Sequence, residues 1–193
     1  MSQDEARFPM VPTLAATLGV KGHRPLVGTR DNKDLLYVFA VVNLVSAALH
    51  ANTLESPHNA KKRTGKSKTR RMQEAFADHL RHIGHVYPRH RYSRVVLMID
   101  NAPWHRGAPI DEALGENPHL EFKRLPSYSP QLNPIERFWK KLRRRATHNR
   151  LFETLADLKT SLRASLCYFQ TMRHKVKRIL QGRPKQGSVR MAA

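Results

Sequence analysis

Cysteine occurs once in this chain, at Cys167, so no disulfide can form within it and no paired-cysteine zinc site can be built. Acidic residues are scarce: 15 Asp and Glu face 35 Lys and Arg, leaving a formal net charge of +20. An excess of that size points to a polyanionic partner, and nucleic acid is the commonest one. Long apolar runs are missing too. The longest, LLYVFAVVNLV at 35–45, is too short to cross a bilayer and contains Asn43. The opening MSQDEARF has no apolar signal-peptide core. No membrane partner is expected, and the anticipated location is cytoplasmic, associated with the nucleoid. What remains suits one α/β domain with a proper core in 193 residues.

Periodicity places the elements. Residues 1–34 are strand and turn material broken by Pro and Gly. Residues 35–44 read as a strand buried on both faces, with a second strand at 46–54. A mobile basic loop is expected from His58 to Arg71. A helix at 69–83 follows from Met72, Phe76, Leu80 and Ile83. His79, His82 and His85 are expected on its solvated or DNA-facing edge. Strands are predicted at 94–100 and 120–125, and helices at 108–115, from Pro134, and at 153–171. Residues 173–193 are basic, poor in large apolar side chains, and expected to be a flexible tail after a domain spanning 1–172.

The acids carry the chemistry. In LPSYSPQLNPIERFWKKLRRR (125–145), Asn133 can cap the helix, Pro134 suits its first turn, and Glu136 stands at the capping-box position. A capping role and a catalytic role both fit Glu136. Lys140 and Arg143 stack one and two turns further on, a ridge suited to phosphates or simply to solvent. Asp100 ends an apolar strand, where ligand sites of α/β sheets gather, although an aspartate also stabilises such turns. Two-metal phosphodiester cleavage requires carboxylates from different elements. For the third acid, composition leaves Asp4, Glu5, Asp31, Asp34 and Asp111 open.

DNAPWHRG (100–107), LPSYSPQLNPIERFWKKLRRRATHN (125–149) and the early DEARF (4–8) resemble the catalytic domain of insertion-sequence transposases of the Tc/mariner superfamily, or DDE superfamily endonucleases. The likeness runs from Asp4 to about His174. Glu136 follows Asp100 by 36 residues, in keeping with that family. The resemblance implies a ribonuclease H-like α/β fold with a central mixed sheet flanked by helices. It implies catalytic, metal-holding roles for Asp4, Asp100 and Glu136, with two Mg²⁺ ions that Mn²⁺ can replace. The implied activity is metal-dependent DNA strand cleavage and strand transfer. The alternative is a remnant that binds DNA, or the full-length transposase, without cleaving.

Double-stranded DNA, as element ends and target, is the expected partner, held by a homodimer. The residues expected to touch it are Lys61, Lys62, Arg63, Lys66, Lys68, Arg70, Arg71, His105, Lys140, Arg143 and Arg144. For His105, a buried role orienting the loop fits equally well, and Trp104 is expected to pack against the domain. The family also leads to the expectation of an upstream helix-turn-helix segment from an adjoining frame. In this chain the first strand is then truncated at its start, with Asp4 held loosely.

Overall fold

The computed structural model describes residues 1–16, 21, 26–29, 31–58 and 60–182, without the side chain of Lys61. Five strands among these residues form one sheet: β1 (Ser2–Pro9), β2 (Leu35–Val42), β3 (Leu49–Ser56), β4 (Val95–Ile99) and β5 (Leu120–Arg124). Their order is β3-β2-β1-β4-β5. The first three strands pair antiparallel, and β4 runs parallel to both β1 and β5. The sheet is therefore mixed. Among the described residues, six α-helices accompany it: α1 (Ala60–Thr64), α2 (Lys68–Val86), α3 (Ala108–Glu116), α4 (Ile135–Ala146), α5 (Leu155–Thr171) and α6 (Arg173–Gln181).

Alternation along the central strands divides the core in two. Ala6, Phe8, Leu36, Val38, Ala40 and Val42 face α4, α5 and α6, where Phe138, Trp139, Leu162 and Val176 meet them. Tyr37, Phe39 and Val41 face α2 and α3, against Phe76, Leu80 and Ile110. Strand β2 is covered on both faces, as its continuous apolar run predicts.

Four expectations are corrected. The second strand begins at Leu49 because Asn43 turns the chain first, its side-chain oxygen accepting from the amides of Val45 (2.9 Å) and Ser46 (3.1 Å). The basic stretch from 58 to 71 is largely helical: α1 ends before Gly65, whose φ is +67°, and the Ser67 hydroxyl caps α2 through the Arg70 amide. Residues 173–181 form α6, with Val176 and Leu180 buried; residues 183–193 lie outside the described ones.

Nor is Asp4 held loosely. Strand β1 pairs with β2 along its whole length, from Ser2 opposite Val42 to Pro9 opposite Leu35. The Met1 carbonyl also accepts from the Met98 amide (2.9 Å), and its amino group donates to the Val96 carbonyl (2.6 Å).

Candidate active site

The strand pleat turns Ser2 and Asp4 toward α4, and Gln3 and Glu5 toward the opposite face. Asp4 is buried, and its Oδ2 accepts a hydrogen bond from the Trp139 indole at 3.0 Å. Burial, then the neighbouring Glu5 charge, push its pKa up to about 7, with Glu136 adding to the effect. Asp100 follows β4. Its Oδ1 accepts from the Ala102 amide (2.9 Å) and lies 3.0 Å from His105 Nδ1. The bond with His105 holds its carboxyl below the usual range. Glu136 stands in the first turn of α4, where the helix dipole favours an anion.

These acids, from a strand, a strand end and a helix, line one cleft of about 370 Å³. The 125–130 loop and Asn133 complete its wall. Among the described residues, no three His, Cys or acidic side chains are gathered tightly enough to hold a metal ion as they stand. The raised pKa of Asp4 reflects its burial first, then the charge of Glu5 on the opposite face of the strand, and after these the charge of Glu136 across the cleft. The donor set is nonetheless all carboxylate oxygen and only partly desolvated, which suits a hard divalent cation.

The cleft is fixed by a joint between β1 and α4. The Ser2 hydroxyl donates to Asn133 Oδ1 and accepts from the Ile135 amide (3.3 Å). Asn133 Nδ2 donates to the Gln3 carbonyl at 3.2 Å. The local capping box expected from Asn133 and Glu136 does not form. The Asn133 amide instead bonds the Pro130 carbonyl, and its side chain is committed to β1.

His105 takes the buried, loop-orienting place expected as the alternative to a DNA contact: it is 1% exposed and sits between Asp100 and Glu5, whose Oε1 lies 2.9 Å from its Nε2. Trp104 packs beside it, as expected, and donates to Glu5 Oε2 at 3.2 Å. Glu5 is thus a buried support on the far face of β1. Neither it nor Asp31, Asp34 or Asp111 lines the cleft. Sequence reasoning missed this Glu5–His105–Asp100 chain. The available signal was the pleat, which puts adjacent Asp4 and Glu5 on opposite faces.

The expected DNA contacts divide. Lys62, Arg63 and Lys68 are exposed, and the side chain of Lys61 lies outside the described residues. Lys66 and Arg70 are exposed too, but both pair with Glu74, at 2.8 and 3.0 Å. Arg71 is half-buried against the Ser56 hydroxyl. On α4, Lys140 and Arg144 are exposed. Arg143 instead lies over the Phe8 ring, 5.2 Å from its centroid, and donates to the Arg7 carbonyl. His82 and His85 are exposed as expected, whereas His79 is buried.

Residues 1–159 match the family described as DDE superfamily endonuclease. The chain belongs to that family. The chain is 25% identical, over 161 residues, to the insertion element IS630 uncharacterized 39 kDa protein of Shigella sonnei, covering 83% of this chain and 42% of that protein. It is 32% identical over 87 residues to the uncharacterized protein y4pE/y4sA of Sinorhizobium fredii, covering 45% of this chain and 60% of that one. The chain thus spans only 42–60% of the length of these curated relatives.

Among solved structures, a pre-cleavage Mos1 transpososome gives a TM-score of 0.62 at 18% identity, covering 93% of this chain and 53% of that one. The catalytic domain of Mos1 mariner transposase gives 0.52 at 19% identity, covering 81% and 74%. At such identities the likeness speaks for the fold, which is ribonuclease H-like as the resemblance implied. No helix among the described residues is long and apolar enough to cross a membrane.

Proposed function

We propose that this chain is the catalytic domain of a DDE transposase. It hydrolyses a phosphodiester at an element end and directs the freed 3′-hydroxyl at target DNA. The observation that carries this reading is the convergence of Asp4, Asp100 and Glu136 on one cleft from three separate elements. These three would hold two divalent cations, Mg²⁺ or Mn²⁺. Support comes from the Mos1 transposase catalytic domain, solved once with Mg and once with Mn. When bound, such ions activate the attacking oxygen and stabilise charge on the leaving one.

The chain's own residues prepare that chemistry. Trp139 fixes the rotamer of Asp4, and His105 with the Ala102 amide fixes Asp100. The β1–α4 joint sets the position of Glu136 relative to Asp4. Exposed Lys62, Arg63, Lys140 and Arg144 hold the phosphate backbone, which positions DNA without reading it. The DNA is duplex, as element end and target, gripped by a homodimer. An upstream helix-turn-helix segment from an adjoining frame supplies end recognition.

The test is Mn²⁺-dependent nicking of an element-end duplex. Asp100→Asn and Glu136→Gln should each reduce it to background while DNA binding persists, because shape is kept and the charge that holds cations is lost. Mn²⁺ should also raise the melting temperature of the wild type and not of these variants. Nicking by either variant near the wild-type rate removes that acid from the mechanism. A wild type that binds DNA and never nicks leaves the reading of a non-cleaving DNA binder.

A further inference from the structure

Helices α4, α5 and α6 enclose a second, larger groove of about 1120 Å³. Arg137, Lys141, Arg144 and Arg145 reach it from α4, and Lys175 and Arg178 from α6, all of them exposed. Among the described residues no Asp or Glu lines it. Among the described residues none of these six cations pairs with a carboxylate. Several cations on other surfaces are neutralised, by contrast: Lys66 and Arg70 pair with Glu74, Arg81 with Glu116, Arg94 with Glu121 and Lys159 with Glu55. Cations crowded without counter-charge repel one another, so this surface is complementary to a polyanion.

The groove is also built. Arg137 donates to the Leu180 carbonyl, tying α4 to α6. On its wall the Tyr168 ring lies 3.7 Å from the Arg145 guanidinium and 4.9 Å from Lys175 Nζ, which also bonds the Tyr168 hydroxyl. Buried Val176 and Leu180 seat α6 on the core. The groove adjoins the acidic cleft through α4. Glu136 lines the cleft and Arg137 the groove, and Lys140, one turn beyond Glu136, lines the groove as well.

We infer that the α4–α6 groove binds the phosphate backbone of duplex DNA beyond the cleft. A duplex whose scissile phosphate lies among the acids runs across α4 into it. The order of the two sites along the DNA rests on the proposed nuclease reading; the binding itself does not.

The experiment measures binding of the full chain to a short labelled duplex in EDTA, from about 50 to 200 mM salt. Lys141→Ala/Lys175→Ala/Arg178→Ala should lower the slope of log K against log[salt] by about 0.9 per lost contact, and lower affinity on the order of 10- to 100-fold. Lys66→Ala/Arg70→Ala, which removes cations already neutralised by Glu74, should change the slope far less. Arg144→Ala alone should remove about one contact's worth, which keeps the test open if the triple variant folds poorly. An unchanged slope in well-folded variants overturns the inference. So does binding to anionic lipid vesicles that the triple variant loses while its DNA slope stays the same. A slope that falls as expected in a chain that never nicks upholds the groove and defeats the nuclease reading. Full nicking with an unchanged slope does the opposite.

Discussion

Two buried histidines show how neighbours decide a charge. Burial alone would depress His105, but its hydrogen bonds to Asp100 and Glu5 outweigh that and hold its pKa at about 10. His79 has no carboxylate beside it. Burial, then the nearby His82 and His50, lower its pKa to about 3, and its Nδ1 lies 3.1 Å from Asn52 Oδ1. The folded chain therefore keeps His79 neutral, while the unfolded chain protonates it near 6.5. Its contribution to stability is complete above that pH and is lost as pH falls toward 3. Comparing wild type with His79→Gln by urea unfolding at several pH values isolates this proton from the opposing titration of Asp4. In the acid range the wild type should lose stability faster than the variant, by up to about 1.4 kcal/mol per pH unit. Equal slopes would mean that His79 is already charged in the fold. The burial was legible in part, because His79 lies three residues from Phe76 and four from Ile83, on the core side of α2. Residue type argued for solvent, and packing prevailed.

At the scale of elements, local rules succeed where both partners are local. On α5, Thr154 and Asp157 form a complete capping box, with bonds of 3.0 and 3.2 Å between side chains and amides. On α4 the same logic assigns a cap to Asn133, and the structure gives that work to Ser2, whose hydroxyl accepts from the Ile135 amide. No local pattern identifies an acceptor brought from another strand by the sheet. The substitution frees Glu136 from capping and ties its helix to the strand that carries Asp4. Ser2→Ala should cost about 1–2 kcal/mol of stability, since it strips a cap and leaves the buried Asn133 Oδ1 without its donor. Urea midpoints measure that loss. Nicking should fall further than in a surface variant of equal stability, because the acids lose their common frame. A loss of stability with nicking intact would make the joint purely structural. Asp100 and Glu136 stood out by motif and spacing, Asp4 only through the family resemblance, and all three line the cleft. The frame that brings them together was not legible, because it consists of contacts between residues 130 or more positions apart.

For the whole molecule, the question is where a net charge of +20 is borne. Composition expects the last basic segment to be a solvated tail, since few large apolar residues interrupt it. Yet Val176 and Leu180 are spaced four apart, one turn of α6, and both reach the core beside Phe138 and Leu162. Two anchors suffice because α4 and α5 already supply the rest of that surface. Docking α6 then carries Lys175 and Arg178 to the groove that α4 lines. The proposed DNA grip is therefore coupled to stability through these buried anchors. Val176→Asp places an unpaired carboxylate in that core and should undock α6, at a cost of about 3 kcal/mol or more. The DNA salt slope should fall with it by up to about two contacts' worth, although no cation is removed from the sequence. Urea unfolding and the salt titration, run on the same preparation, check both halves. If stability and slope are both unchanged, α6 is not seated on the core in solution, and the flexible tail expected from composition describes it better than the helix.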